Sequence, residues 1–297
     1  MKWIVPFGLD GAVDRVARMV ARFCHETVSI ENMPGGGGVP GTQRVVDSPA
    51  SATLPMVLLC GSVSNLSIAP LVQPALPYDP ERDLRPLALV GYAPNVLTVP
   101  PSLGVDSVER LIRLARAQPG ALAYASAGAG QTIHLCGELF CAHARIELRH
   151  VPYDRGSATA HAELAAGQVH LMFDSLIGVT EAIRSGRERA LAVLAEQRHP
   201  LIAEVPTMAE CGFDNFHAPI WIGLFASYRL ANERADILSA KLCATLAEPT
   251  LRTALLSLGL NPVDDSSPRA LTTAVRDARH IWRDNLLHAG LPLAARS

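Results

Sequence analysis

Short apolar runs alternate along this chain with stretches in which apolar residues recur every three or four positions. The first run, Trp3-Ile4-Val5-Pro6-Phe7, reads as a strand. After the loop Gly8-Leu9-Asp10-Gly11-Ala12-Val13, residues Val16, Met19, Val20 and Phe23 share one helical face, with Arg15, Arg18 and Arg22 opposite. Asp14 stands where an N-cap or a first-turn acid belongs. Val28 to Ile30 is a second strand, followed by a helix near Gly41 to Val46; Leu54 to Cys60 is a third strand. The middle of the chain repeats the pattern. Strands are read at Leu87 to Val90, Asn95 to Val99, Leu122 to Ser126, Val169 to Phe173, Ala190 to Leu194 and Trp221 to Ala226. Helices are read at Val108 to Ala117, Ile133 to Ala144 and Ile177 to Arg184. Three more close the chain, at Ala235 to Ala247, Thr250 to Leu258 and Pro268 to Ala289. Strands alternating with helices predict an α/β protein with mostly parallel sheets. No sequence repeat at a fixed period is visible.

Composition narrows the class. The 297 residues suggest about two domains. Apolar residues make up 49% and charged residues 18%, ample for a large core. Ser48 to Tyr78 contains no charge over 31 positions. However, Pro49, Pro55, Pro70, Pro74 and Pro77 prevent it from forming one membrane-spanning helix. Met1-Lys2 runs directly into Trp3-Ile4-Val5 without the apolar segment of a leader, so the expectation is a start further upstream or a cytoplasmic protein. A net charge of −2 and 5% aromatics argue against nucleic-acid binding. Lys2 and Lys241 are the only lysines, which excludes a Walker A loop and makes a Schiff-base lysine a poor expectation. Cys24, Cys60, Cys136, Cys141, Cys211 and Cys243 contain no Cys-x-x-Cys and read as small core residues.

Open α/β sheets bind ligands beyond the carboxyl ends of strands, where helix N-termini offer free N–H groups to anions. Three loops combine that position with suitable residues. The first supplies Phe7, Gly8, Asp10, Gly11, Ala12 and Asp14. The second supplies Ser126, Gly128, Gly130, Gln131, Thr132 and His134, and the third Asp174 and Ser175. Ser62 and Ser64, after the third strand, complete the candidate ligand-binding set. A charge-assisted hydrogen bond contributes roughly 1.5–3 kcal/mol. Three or four of them, after the cost of association, suit a micromolar carboxylate or phosphate ligand. The bland alternative is that each loop is an ordinary tight turn. Gly128-x-Gly130 is not a dinucleotide motif, because its third glycine position is Ile133. Gly35 to Gly38 has no Lys or Ser/Thr partner for a phosphate and reads as a turn. There is no Gly-x-Ser-x-Gly elbow and no His-Glu-x-x-His, and the ten histidines are scattered. No catalytic residue, metal or cofactor is therefore assigned.

Several blocks, in order, resemble the substrate-binding receptors of tripartite tricarboxylate transporters, also called Bug receptors. They are Val5-Pro6-Phe7 with Gly11 and Asp14; Glu31-Asn32-Met33-Pro34-Gly35-Gly36-Gly37-Gly38 with Gly41; and Leu76-Pro77-Tyr78-Asp79-Pro80 with Asp83-Leu84. Tyr124-Ala125-Ser126-x-Gly128-x-Gly130 follows with His134-Leu135 and Glu138-Leu139-Phe140. Next come His150-Val151-Pro152-Tyr153, Gly167-Gln168-Val169 and Met172-Phe173-Asp174. Arg189-Ala190-Leu191-Ala192-Val193, Val205-Pro206-Thr207, Glu210-x-Gly212 and Trp221-x-Gly223-Leu224-Phe225-Ala226 complete the series.

The resemblance implies a two-lobed, periplasmic-binding-protein-like flytrap with two mixed, mostly parallel sheets joined by crossing strands. Lobe one would be residues 1–98 with 223–297, lobe two residues 99–222, and the ligand would lie between them. It further implies a monomeric periplasmic receptor that takes a dicarboxylate, tricarboxylate, acidic amino acid or aromatic acid and serves the membrane components of a transporter, without catalysis. Three departures stand out. Asp10 occupies a position where the family has glycine, Asp154-Arg155 lengthens the segment after His150-Val151-Pro152-Tyr153, and Ala69 replaces a usual Asn. Asp10 would repel a carboxylate or pair with a ligand ammonium. Two alternatives stay open: a sensor that hands its closed form to a signalling partner, and an α/β hydrolase using Ser126 with His134.

Overall fold

Aliphatic runs with no polar face make strands that are covered on both sides. The first of these, β1 (Lys2–Val5), buries Trp3, Ile4 and Val5 completely. The computed structural model describes residues 1–49, 56–153, 156–214, 216–218 and 220–294. Leu54 and Pro55, at the start of the expected third strand, lie outside the described residues.

Two compact units divide the chain. The first holds Met1–Tyr92, Trp221–His280 and Ala294–Ser297; the second holds Ala93–Ile220 and Ile281–Leu293. The first unit runs from β1 through α1 (Ala12–Phe23), β2 (Ser29–Asn32), α2 (Val39–Val46), β3 (Val57–Ser62), α3 (Ala69–Val72) and α4 (Pro80–Asp83) to β4 (Leu84–Ala93). The second begins with β5 (Asn95–Val99), α5 (Val108–Ala117), β6 (Ala123–Ser126) and α6 (Thr132–Ala144). It continues with β7 (Arg149–Pro152), α7 (Ser157–Ala165), β8 (Leu171–Ser175), α8 (Leu176–Arg184) and β9 (Arg189–Leu194). The chain then returns through β10 (Ile220–Ser227), α9 (Asn232–Leu246), α10 (Pro249–Leu258), β11 (Asn261–Pro262) and α11 (Pro268–His288). The last helix starts in the first unit and ends in the second. There Trp282 and Leu286 are fully buried and Asn285 Nδ2 donates to the His217 carbonyl at 3.0 Å.

The sheet of the first unit has the order β11-β4-β10-β3-β1-β2. β1 is parallel to β2 and β3, whereas β10 is antiparallel to β3 and β11 to β4. The second sheet has the order β7-β6-β8-β5-β9. β6 is parallel to β7 and β8, and β5 is antiparallel to β8 and β9. Both sheets are thus mixed. Parallel neighbours need a crossover helix. β5 follows β4 with only Pro94 between them, so it enters its sheet without one and runs the other way.

Asn95–Val99 and Val108–Ala117 form at the expected residues. β7 and α7 have no counterpart in the hydrophobic pattern. β7 has exposed or half-buried positions throughout, and α7 (SATAHAELA) buries only Ala160 and Leu164. The six cysteines are free; Cys60 and Cys136 are fully buried, and desolvation pushes both thiols up. Among the described residues no helix is long and apolar enough to cross a membrane, and no group of three His, Cys, Asp or Glu is placed to hold a metal ion.

Aromatic packing ties the core of the second unit together. The Phe140 ring meets Phe173 edge-on at 5.6 Å between centroids and Phe213 at 5.8 Å. Because Phe173 is fully buried on β8, truncating it leaves a cavity that this close-packed centre cannot fill. Phe173→Ala is expected to lower stability by about 3–5 kcal/mol, read as a shift of the urea midpoint.

Candidate functional site

The turn from β1 into α1 is held by one buried carboxylate. Asp14 Oδ2 accepts the Asp10 N–H at 3.0 Å and Arg18 Nε at 2.9 Å, while its Oδ1 accepts Asn32 Nδ2 at 2.9 Å. Asn32 Nδ2 also donates to the Phe7 carbonyl, and its Oδ1 accepts Arg18 Nη2. Burial raises the Asp14 pKa, but the bonds from Arg18, Asn32 and the Asp10 N–H outweigh it and hold the carboxyl below its usual range. Asp10 adopts φ +60°, in the left-handed region that aspartate tolerates, and its carbonyl accepts Arg15 Nε at 2.8 Å. Its side chain is exposed. Arg15 N–H reaches the Gly11 carbonyl, so α1 begins at Gly11 with the N–H groups of Ala12 and Val13 unclaimed among the described residues.

Ser62 and Ser64 border a second, mostly self-contained network in the same unit. Asn65 Oδ1 accepts the Ser62 N–H at 2.9 Å and lies 3.3 Å from Ser62 Oγ, and Asn65 Nδ2 donates to Thr42 Oγ1. The Tyr78 hydroxyl donates to the Asn65 carbonyl. Ser64 Oγ makes no bond among the described residues.

In the second unit, β6 delivers Ser126 to the loop that opens α6. Ser126 Oγ is 2.7 Å from His150 Nε2 and accepts the Gly128 N–H at 3.1 Å; two residues on, the Gly130 N–H donates to His134 Nδ1 at 3.2 Å. Gly128 and Gly130 sit at φ +127° and +76°, which suits glycine at both positions. Gln131 Nε2 turns back to the Ala127 carbonyl at 2.9 Å. The backbone N–H groups of Ala129, Gln131, Thr132 and Ile133, and Thr132 Oγ1, remain without acceptors among the described residues.

An aromatic stack backs this loop. The His150 ring lies 4.3 Å from His134 and 4.9 Å from Tyr124, centroid to centroid. The Tyr124 hydroxyl donates to Glu138 Oε1, and desolvation followed by that carboxylate pushes the phenol up. Gly137 is required beneath the stack, because a Cβ there would meet the Tyr124 ring at 2.3 Å. Desolvation, and then the neighbouring His134, push His150 down to about 4; desolvation lowers His134 against the pull of Glu138. Both imidazoles are neutral at pH 7.

The third expected loop has a different role. Asp174 Oδ1 accepts the Ser175 N–H at 2.6 Å, and Asp174 Oδ2 is 3.0 Å from His161 Nε2. On the other side of that ring, Nδ1 is 2.6 Å from Glu188 Oε1. Ser175 Oγ caps α8 by accepting the Gly178 N–H. The Pro94 carbonyl accepts the Leu176 N–H at 2.9 Å, so the α8 terminus is closed. Burial alone would lower His161, but Asp174 and Glu188 overcome it and raise the imidazole to about 10.

The structure therefore sorts the expected residues into two groups. Gly8, Gly11, Ala12, Gln131 and Thr132 lie in or beside turns with unclaimed donors. Asp14, Ser62, Ser126, Gly128, Gly130, His134, Asp174 and Ser175 hold those turns, or others, in place. Phe7 contributes a carbonyl to the Asn32 network. A Ser126–His134 nucleophilic pair does not form, since His150 occupies that position. Asn32, Arg18, Asn65, His150, His161 and Glu188 were absent from the candidate set. Asn32 and His150 fall inside the motif blocks, which was the available signal. Asp154 and Arg155 lie outside the described residues.

The fold places the chain in the periplasmic-binding-protein-like class. The R. palustris protein Rpa4515, solved with adipate, superposes with a TM-score of 0.91 at 30% identity, covering 99% of this chain and 97% of that one. MatC from Rhodopseudomonas palustris, solved with bound malate, gives 0.88 at 27% identity, over 96% of this chain and 98% of that one. In sequence, residues 13–283 match the tripartite tricarboxylate transporter family receptor, and the chain belongs to that family. The Bordetella pertussis protein BugT is 33% identical over 267 residues, 89% of this chain and 81% of BugT.

His161 offers a direct check on the buried charges. His161→Gln is expected to cost about 3 kcal/mol, because it leaves two carboxylates without their cation. The folded pKa exceeds the unfolded value of about 6.5. The contribution of the imidazolium is thus complete below about pH 6.5 and lost as pH rises toward about 10. Urea unfolding of the wild type should weaken across that window, and the pH slope should be shallower in the variant.

Proposed function

We propose that this chain is a solute receptor that captures a small carboxylate-bearing metabolite for the membrane components of a tripartite tricarboxylate-type transporter. It works in the periplasm as a monomer and performs no catalysis. The observation that carries this reading is the pair of glycine-rich turns opening α1 and α6. In each, side chains fix the turn from one side, while the first-turn N–H groups are left unclaimed. A helix N-terminus with free N–H groups and a partial positive charge accepts a carboxylate without any basic side chain. This fits a chain with only two lysines. The adipate and malate bound by the two structural relatives are both dicarboxylates. Against hydrolysis stands Ser126: it is fully buried, and its partner His150 has no carboxylate to orient it among the described residues. The range of ligands is di- and tricarboxylates, acidic amino acids and aromatic acids. Exposed Asp10, beside the first turn, disfavours extra negative charge there.

A thermal-shift panel of adipate, malate, citrate, glutamate and benzoate at millimolar concentration tests the reading. At least one acid should raise the melting temperature, since a ligand at 100 times its Kd adds about 2.7 kcal/mol to native stability. A flat response to every acid would remove the proposal.

A further inference from the structure

Two histidines in the second unit meet at the β6–α6 turn, His134 by accepting the Gly130 N–H and His150 through Ser126 Oγ. We propose that His150 and His134 are positioning residues for the ligand. They hold the Gly128–Gly130 turn from behind, so that the N–H groups of Ala129, Gln131 and Thr132 stay directed at a carboxylate. This inference rests on the carboxylate reading above.

The geometry has an alternating logic. Along residues 128 to 132, the N–H groups of Gly128 and Gly130 point inward, to Ser126 Oγ at 3.1 Å and His134 Nδ1 at 3.2 Å. The N–H groups between and after them have no acceptor among the described residues. Ser126 Oγ is engaged twice, by Gly128 and by His150 Nε2 at 2.7 Å, and is fully buried. It therefore acts on the ligand through the turn and not by contact. The His134 bond requires an unprotonated Nδ1, which places its hydrogen on Nε2, 3.9 Å from Glu138 Oε1. His150 is clamped between the His134 and Tyr124 rings, so its Nε2 has little freedom to leave Ser126. The titratable groups around the pair are Tyr124 on β6 and Glu138 on α6. Three elements, β6, β7 and α6, thus converge on one turn. Without the pair, the two inward N–H groups lose their acceptor or its support, and the turn can rotate its donors away from the ligand.

The test uses the full chain with Ser126→Ala, His150→Ala, the double variant and His150→Gln, whose side-chain amide can replace Nε2 against Ser126. Two readouts are taken: amide hydrogen exchange of residues 127–132 without added acid, and calorimetric affinity for whichever acid binds the wild type. Ser126→Ala and His150→Ala should each speed exchange at Gly128 and weaken binding about tenfold, the size of one lost hydrogen bond. The double variant should lose the same tenfold and not a hundredfold, because both changes break one linkage. His150→Gln should restore exchange and affinity to within about threefold of wild type. Unchanged affinity in both alanine variants, or an additive double loss, would overturn the positioning role while leaving the carboxylate reading intact. A wild type that binds no acid removes that reading and this proposal with it. His150→Gln losing as much as His150→Ala would show that the ring only fills space, which also overturns it.

Discussion

The first turn of an α-helix leaves its N–H groups without partners inside the helix. The helices that follow β1, β5, β6 and β8 resolve that shortage in two ways, and the proposed carboxylate reading rests on the difference. At α8, Ser175 Oγ takes the Gly178 N–H, the Pro94 carbonyl takes that of Leu176 and Asp174 takes that of Ser175, so the terminus is closed. At α5, Ser107 Oγ takes the Arg110 N–H in the same way. At α1 and α6 the preceding residue is Gly11 or Gln131, and no side chain caps either helix. There the polar side chains bond to the turn before the helix and leave the first-turn donors open. Four βα junctions that look alike in sequence thereby divide into closed and open ends.

Holding such a turn still is an electrostatic problem, and the two units solve it differently. The first uses a charged network: Asp14 is almost surrounded by donors from Asp10, Arg18 and Asn32, and Arg18 neutralises it. The second uses uncharged groups, a serine and two imidazoles kept neutral by desolvation. A neutral support next to the α6 turn leaves the partial positive charge of the helix N-terminus uncancelled by it. The cationic histidine of that unit, His161, sits at the closed α8 junction between two carboxylates. Depending on its neighbours, one residue type thus supplies either a neutral acceptor or a buried cation.

Much of the fold was legible because its strands are apolar on both faces and its longer helices are amphipathic. Asn95–Val99 and Val108–Ala117 form at the residues that the hydrophobic pattern marks, and Pro119-Gly120 follows the helix. β7 and α7 left little trace, since an edge strand with charged and half-buried positions and an alanine-rich helix carry weak periodicity. The direction of β5 and β10 was also hidden, because strand polarity depends on the connections and not on composition. For the site, sequence reasoning located the open turns from glycine spacing. It could not tell open from closed termini, because that depends on where Asp14, Ser126 and Asp174 turn their oxygens. His150 and Glu188 act across 24 and 27 residues of chain, on Ser126 and His161, and such pairings appear only once the chain has folded.

The proposed carboxylate site is probed most directly by amide chemical-shift mapping, which sees each backbone N–H separately. The uniformly labelled protein is titrated with the acid from the thermal panel that binds it. The largest shifts should fall at Gly11, Ala12 and Val13 or at Ala129, Gln131 and Thr132, with only small changes at Ser175–Gly178. Shifts concentrated at the closed α8 terminus, or away from both open turns, would contradict a receptor that holds its ligand by unclaimed helix N–H groups.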